Sequence, residues 1–268
     1  MSRRGDKGGV RVKTAHFKKV AVNTALKAGG YIKRNLGRVK RVRYKGETDV
    51  VTEIDRKSEE LIVGAVSKSF PCHGFLGEER GYKGRESEFR WIIDPLDGTT
   101  NFLHTFPVFC VSIALAYKND ILLGVVYDPT RDELFHAEKG KGAFLNKKRI
   151  RVSRIRDIRK ALLATGFAYN VREARKTNIR NFTKILKTAQ AVRRAGSAAI
   201  DMCYVACGRF DGFWEYYLHA WDTAAASRIV EEAGGKITKL DGKKFSVYGK
   251  EMLASNSKIH AQMIQSLS

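Results

Sequence analysis

Apolar positions between residues 14 and 36 recur three and four apart. Phe17, Val20, Ala21, Thr24, Ala28, Tyr31 and Ile32 fall on one face, which predicts an amphipathic helix. A second helix is expected over 53–69, with Thr52 as N-cap and Thr52-x-x-Asp55 approximating a capping box. The pattern then changes period. "RWIID" reads as a short buried strand ending at Asp94, and Pro95 stiffens the turn expected after it. "FCVSIALAY" and "ILLGVVYDP" read as a hairpin turning at 118–120, and "ELFHAEKGKGAFLNKKRI" as two further strands around Gly140 and Gly142. Helices are expected over 178–190 and 197–207, a strand over "DGFWEYYL", and a helix over "WDTAAASRIVEEAGG" that stops at Gly234-Gly235. A last helix covers about 257–267. Helices and strands come in blocks joined by hairpins, which predicts an α/β chain of the α+β type with layered, mixed sheets and not a Rossmann domain.

Composition narrows the class without naming a chemistry. A chain of 268 residues, 43% hydrophobic and 29% charged, can bury a sizeable core. Its apolar runs fall short of the ~20 residues needed to span a bilayer. The start, "MSRRGDKGGVRVK", is basic but lacks the apolar core of a secretory signal. Cys72, Cys110, Cys203 and Cys207 form no CxxC pair, so they read as reduced thiols of a cytoplasmic protein. His73, His104, His136 and His219 show no metal-ligand spacing. The net charge is +22 and uneven. Residues 1–45 carry fifteen Lys and Arg against one acid, Asp6, and "NKKRIRVSRIRDIRK" at 146–160 is a second basic cluster. Such a field suits solubility alone, steering of an anionic substrate, or RNA binding. No zinc-finger or RNA-recognition motif supports the last.

Against that background "WIIDPLDGTTNF", residues 91–102, stands out. Asp94 and Asp97 can converge across the expected turn. Two carboxylates ~4 Å apart repel by about 4 kcal/mol at an effective dielectric near 20. The motif offers no arginine between them, so a divalent cation answers better. An all-oxygen donor set suits Mg²⁺, Mn²⁺ or Ca²⁺ and not zinc. Gly98-Thr99-Thr100 opens a loop or helix start whose N–H groups can hold a phosphate. Further acids stand in similar settings: Glu78 and Glu79 in "FLGEER", Asp49 and Asp55 near Lys45 and Thr52, and Asp222 at a helix start. Each setting alone also reads as a cap or a solvated turn; with the central motif there are four on one chain, which are hard to ascribe to capping. An aspartyl-phosphate mechanism of the haloacid-dehalogenase type needs aspartates two apart, and these are three apart.

"GEE" at 77–79, "WIIDPLDGTTNF" at 91–102 and "WDTAAASRIVEEAGG" at 221–235 together resemble the inositol monophosphatase family of metal-dependent, lithium-sensitive phosphatases. The resemblance runs from about 15 to 265. It implies an αβαβα sandwich with largely antiparallel sheets, one domain over 13–268 behind a basic tail at 1–12, lobes at about 13–145 and 146–268, and a cytoplasmic homodimer. It implies Mg²⁺-dependent hydrolysis of inositol monophosphate to inositol and phosphate by metal-activated water, with Mn²⁺ as the alternative ion. Glu78, Asp94 and the Leu96 carbonyl would hold a first ion, and Asp94, Asp97 and Asp222 a second; a third, weaker ion would use Glu78 and water. Thr99 with Asp55 would orient the attacking water, and the Gly98 and Thr99 N–H groups would hold phosphate. Gly196, Ser197, Ala198 and Glu215 would lie near the polyol. Relatives in the wider family hydrolyse fructose 1,6-bisphosphate, histidinol phosphate or 3′-phosphoadenosine phosphates, so a sugar or nucleotide substrate is the first alternative. RNA or ribonucleoprotein binding through the basic N-terminal segment is the second. The chain departs from the family pattern at Ala226, where glycine is common, in the 45–49 loop, and in its basic N-terminus.

Overall fold

The computed structural model describes residues 14–44, 50–84, 86–169, 171–172 and 177–267. The basic tail at 1–12, Lys45 and Asp49 lie outside the described residues. Three sheets and seven helices make up the described chain. The first helix, α1 (Thr14–Arg34), buries Ala21, Thr24, Ala25, Ala28, Gly29 and Ile32 along the stripe that the spacing predicts. A two-stranded ribbon, β1 (Val42–Tyr44) and β2 (Val50–Thr52), leads into α2 (Glu53–Ser69). Its start is fixed locally: the Thr52 hydroxyl accepts from Ile54 N–H, and Asp55 accepts from Thr52 N–H, a closed capping box.

The large sheet has eight strands: β3 (Gly74–Gly77), β4 (Gly81–Lys83), β5 (Phe89–Asp97), β6 (Cys110–Tyr117), β7 (Asp120–Asp128), β8 (Glu133–Glu138), β9 (Gly142–Leu145) and β10 (Lys148–Arg149). Their order is β10-β9-β8-β7-β6-β5-β3-β4, antiparallel throughout except for β3 against β5. A short helix, α3 (Thr99–Leu103), follows β5. The second sheet has five strands, β11 (Leu162–Thr165), β12 (Ala191–Arg193), β13 (Gly212–Tyr216), β14 (Lys236–Thr238) and β15 (Glu251–Ser255), in the order β12-β11-β13-β15-β14. The remaining helices are α4 (Ile179–Leu186), α5 (Ala198–Ala206), α6 (Ala220–Glu232) and α7 (His260–Leu267).

The layers follow from which faces are apolar. Trp91, Ile93, Ile113, Leu115 and Val125 face α1 and α2. Their neighbours Ile92, Ala114, Ala116 and Val126 face α5 and α6, which also pack against Phe213, Met252 and Ala254 of the second sheet. Leu163, Trp214 and Leu253 turn the other way, onto Ile185 of α4 and Ile259 and Met263 of the C-terminal segment. The result is the expected αβαβα sandwich. Strands covered on both faces read as continuous apolar runs, so "IALA" and "LLGVV" lack alternation. Among the described residues no helix is long and apolar enough to cross a membrane. All four cysteines are unpaired thiols.

The sequence left close packing at Ala226 open. Ala226 is fully buried, and the tight approach lies one residue earlier. A Cβ on Gly124 of β7 would stand 2.1 Å from the backbone oxygen of Ala225. The strand, and not the helix, supplies the missing side chain. Gly124→Ala therefore forces α6 away from the sheet. The expected cost is about 3 kcal/mol, a fall in Tm of roughly 6–12 °C by thermal melt. Gly64→Ala is the control: its Cβ meets nothing within 4 Å on an exposed helical position, and a gain of about 0.5–1 kcal/mol is expected. Equal melting temperatures for Gly124→Ala and wild type would refute this account of the packing.

Candidate active site

The two aspartates of the central motif are not joined by a turn. β5 continues through Pro95 to Asp97, and a bulge lies between the acids. Asp94 pairs with Ser112 and Asp97 with Cys110, so three steps on β5 oppose two on β6. The extra residue matters because strand side chains alternate. Acids three apart would point to opposite faces; one bulged residue returns both to the same face. Proline is tolerated there since a bulge leaves an N–H out of the ladder. The Pro95 carbonyl accepts from the buried Ser58 hydroxyl of α2.

Other elements deliver the remaining groups. β3 runs parallel to β5, and Glu78 N–H donates to the Ile93 carbonyl, which sets Glu78 beside Asp94. Asp222 lies in the first turn of α6, where its Oδ2 accepts from His219 N–H at 2.6 Å. Gly98 caps α3 with φ 95°, and a Cβ on it would stand 2.8 Å from the Val108 carbonyl, so both the backbone and the space demand glycine. Thr99 Oγ1 donates to Asp55 Oδ1 at 2.8 Å and also lies 3.0 Å from the Leu96 carbonyl. Asp97 Oδ2 accepts from the Ser197 hydroxyl at 2.7 Å and from Ala199 N–H at 2.8 Å. Thus α2, α3, α5 and α6 all bring their N-terminal turns to one place. Their dipoles favour negative charge there.

The electrostatics are those of crowded, buried acids. Burial raises the Asp94 carboxyl well above the usual range, and the charges of Glu78, Asp97 and Asp222 add to it. Asp222 is raised well above its ordinary value by burial and by Asp97, against the His219 N–H. Asp97 is raised by burial, with the Ser197 hydroxyl and the N–H groups of Ala199 and Ala198 pulling back. Burial also raises Asp55, opposed by Thr52 and Thr99. Among the described residues no Lys or Arg forms an ion pair with Asp94, Asp97 or Asp222. Nor do three His, Cys, Asp or Glu side chains stand together there as a ready-made metal cage. Each aspartate instead gives one oxygen to protein donors: Oδ1 of Asp94 to Leu96 N–H, Oδ2 of Asp97 and of Asp222 to the donors above. The donor set is all oxygen, negative and uncompensated by side-chain cations, and its chemistry fits a hard divalent ion.

The polyol candidates divide. Gly196, at φ 91°, sits against Asn101 and Arg194. Ala198 begins α5 and is half-buried, while the buried Ser197 turns its hydroxyl onto Asp97. The Glu215 carboxylate lies directly over Gly166, where a Cβ would approach to 2.1 Å. Burial pushes Glu215 up to about 8, with Arg194 opposing. Several residues escape a reading by motif. Asn101 Nδ2 bridges the carbonyls of Val108 and Ala195, tying α3 to the loop before α5. Glu59, buried on α2, accepts from Glu79 N–H and fixes the "GEE" turn. Asp201 is buried near Glu215, burial raises its carboxyl well above the usual range, and its Oδ1 has no hydrogen-bond partner among the described residues. The signal for Glu59 was its spacing: Asp55, Ser58 and Glu59 fall among the buried positions of α2 with Ile54 and Ile62.

The profile of the inositol monophosphatase family matches residues 13–268. The chain belongs to the inositol monophosphatase family. It is 44% identical over 250 residues to an inositol-1-monophosphatase of Synechocystis, covering 92% of this chain and 87% of the relative. A Nus factor SuhB of Pseudomonas aeruginosa is 40% identical over 257 residues, covering 92% and 94%. The solved inositol monophosphatase of Anabaena superimposes with a TM-score of 0.88 at 40% identity, covering 96% of each chain. As a member of the inositol monophosphatase family, the chain is a phosphoric monoester hydrolase.

Proposed function

We propose that this chain is a Mg²⁺-dependent phosphatase that hydrolyses inositol monophosphate to inositol and phosphate. The observation that carries the reading is the cluster of Asp94, Asp97 and Asp222, all raised by burial, Asp94 and Asp222 also by the charge of neighbouring acids, and without a side-chain cation. Glu78, Asp94, the Leu96 carbonyl, Asp97 and Asp222 would hold the ions, with Mn²⁺ as a substitute and lithium as an inhibitor. When bound, the ions supply positive charge that acidifies water and offsets charge on the phosphoryl group and leaving oxygen. The chain's own residues do the rest. Thr99, donating to Asp55, keeps its lone pairs for a proton from the attacking water. The N–H groups of Gly98 and Thr99, at a helix start without intrahelical acceptors, receive phosphoryl oxygens. Glu215, with Gly196 and Ala198, faces the polyol. A cytoplasmic homodimer completes the reading, and four unpaired thiols support a reducing compartment.

Glu215 favours a polyol over other phosphoryl carriers. With its carboxyl pushed up to about 8 it is largely protonated at neutral pH, so it can both donate to and accept from a hydroxyl. Turnover should be measured with Mg²⁺ across inositol 1-phosphate, fructose 1,6-bisphosphate, histidinol phosphate and 3′-phosphoadenosine 5′-phosphate, for wild type and Glu215→Gln. Inositol phosphate is expected to have the highest kcat/KM. Glu215→Gln is expected to raise KM for it about tenfold, the worth of one or two hydrogen bonds, and to leave the others within threefold. Negligible inositol phosphate turnover beside any other substrate overturns the substrate assignment and leaves the phosphatase standing.

A further inference from the structure

Residues 146–160 cross the molecule as a pinned strap. The strap leaves the large sheet where Ile150 N–H donates to the Ala143 carbonyl, and Val152 N–H then donates to the Ala233 carbonyl just beyond α6. Asn256 Nδ2 holds the Ser153 hydroxyl and the Ile155 carbonyl at 2.8 and 2.9 Å. Gln262 of α7 closes the far end, donating to the Arg156 carbonyl and accepting from Ile158 N–H. Ile150, Val152, Ile155 and Ile158 turn inward, half-buried or buried. Lys147, Lys148, Arg149, Arg151, Arg154, Arg156, Arg159 and Lys160 are exposed. Arg159 pairs with Asp157, and the Arg149 guanidinium packs over Gly142. None of the other six forms an ion pair with any described residue.

Folding accounts for part of this. The strap passes the ends of α5 at Gly208 and α6 at Ala233, and neither helix carries a basic side chain in its last turn. One or two cations offset those negative helix ends. The others repel one another along a rigid line, at ~6.6 Å for alternate residues of an extended chain. Their apolar neighbours point into the protein, so nothing between the cations can enter a lipid layer. No aromatic side chain lies within 146–160 for a base to stack on. Because 11 residues of helical rise separate Asp222 from Ala233, where Val152 is held, the strap meets α6 about 16 Å from Asp222.

We propose that the strap is an electrostatic track for the sugar–phosphate backbone of single-stranded nucleic acid, separate from the carboxylate site. Its contacts are with phosphates and carry no base information, so RNA and DNA of one length bind alike. The inference does not rest on the substrate assignment. The probes are fluorescent oligo-U and oligo-dT of about 20 nucleotides, titrated with the full chain by anisotropy at 50 and 200 mM salt. With about five phosphate contacts, affinity should fall roughly 100-fold across that range. Replacing Lys147, Lys148, Arg151, Arg154 and Arg156 together by Gln should flatten the slope of log K against log salt by about 3.5, leaving phosphatase turnover at the wild-type value and Tm within about 2–4 °C of wild type, the worth of the helix-end charges. A second variant, with Arg3, Arg4, Lys7, Arg11 and Lys13 replaced by Gln, should keep most of the slope. Three results overturn the proposal: no oligonucleotide binding at 50 mM salt, a strap variant that binds as wild type does while the tail variant loses binding, or tighter capture by phosphatidylserine vesicles than by either oligonucleotide.

Discussion

Asp94→Asn is expected to lower kcat by about 10³–10⁴-fold and, in the same protein held in chelator, to raise Tm. Both effects come from one carboxylate. Asp94 is buried at the centre of the acidic cluster, and its Oδ1 is held by Leu96 N–H. Asparagine keeps that acceptor and its shape but not the charge. If Asp94 serves both ions, its loss weakens both sites at once, so the fall should exceed about 10²–10³, the worth of a single electrostatic group. The stability effect has the opposite sign. A carboxyl whose folded-state value is raised binds its proton more tightly when folded. Its contribution is complete below the unfolded value near 4 and is lost as pH climbs through the raised folded value. At neutral pH the cluster therefore destabilises the fold, and removing one charge relieves it. Added Mg²⁺ should do the same for wild type, by about 2.7 kcal/mol at a hundred times Kd, or roughly 5–11 °C. The variant should gain little from it. Turnover of Asp94→Asn within tenfold of wild type, or a wild-type Tm indifferent to both chelator and Mg²⁺, would rule out the metal reading.

What was legible in the sequence was what is decided locally. The start of α2 depends on Thr52 and Asp55, three apart, and the pattern found it. The spacing of Asp94 and Asp97 marked the site, but the geometry behind it was not a turn. A bulge is a relation between two strands, and the offset of Asp94–Ser112 against Asp97–Cys110 exists only once β6 is in place. The same limit hid β12 and β14. Ala191–Arg193 and Lys236–Thr238 are three-residue edge strands with little apolar signal, recruited by β11 and β15. The helix expected over 178–190 accordingly ends at Leu186, and the chain turns into β12. Counting apolar positions also misses acids that share a buried face, which is why Glu59 and Asp201 surfaced only with their neighbours in place.

Thr99→Ala should cost about 10²–10³ in kcat with KM nearly unchanged, and Thr99→Ser should restore most of it. The Thr99 hydroxyl has one proton and two acceptors in reach, Asp55 Oδ1 at 2.8 Å and the Leu96 carbonyl at 3.0 Å. The charge-assisted bond to the carboxylate is the stronger, so the proton points at Asp55. That choice leaves the oxygen's lone pairs free to accept from water, as an orienting base requires. Alanine removes the acceptor and leaves Asp55 Oδ1 without its donor, a cost of about 1–3 kcal/mol in stability. Asp55→Asn touches both roles at once. Both Thr52 donors fall on Asp55 Oδ2, so an amide there must break the capping box or turn the Thr99 proton away, and its uncharged oxygen accepts more weakly from whichever donor it keeps. It should therefore lose activity and a further ~1 kcal/mol of helix capping together. The pair of variants reads the dyad: Thr99→Ala depresses turnover far more than its Tm shift explains, while Asp55→Asn depresses both. Turnover of Thr99→Ala within threefold of wild type would remove Thr99 and Asp55 from the chemistry and leave them as the clamp between α2 and α3.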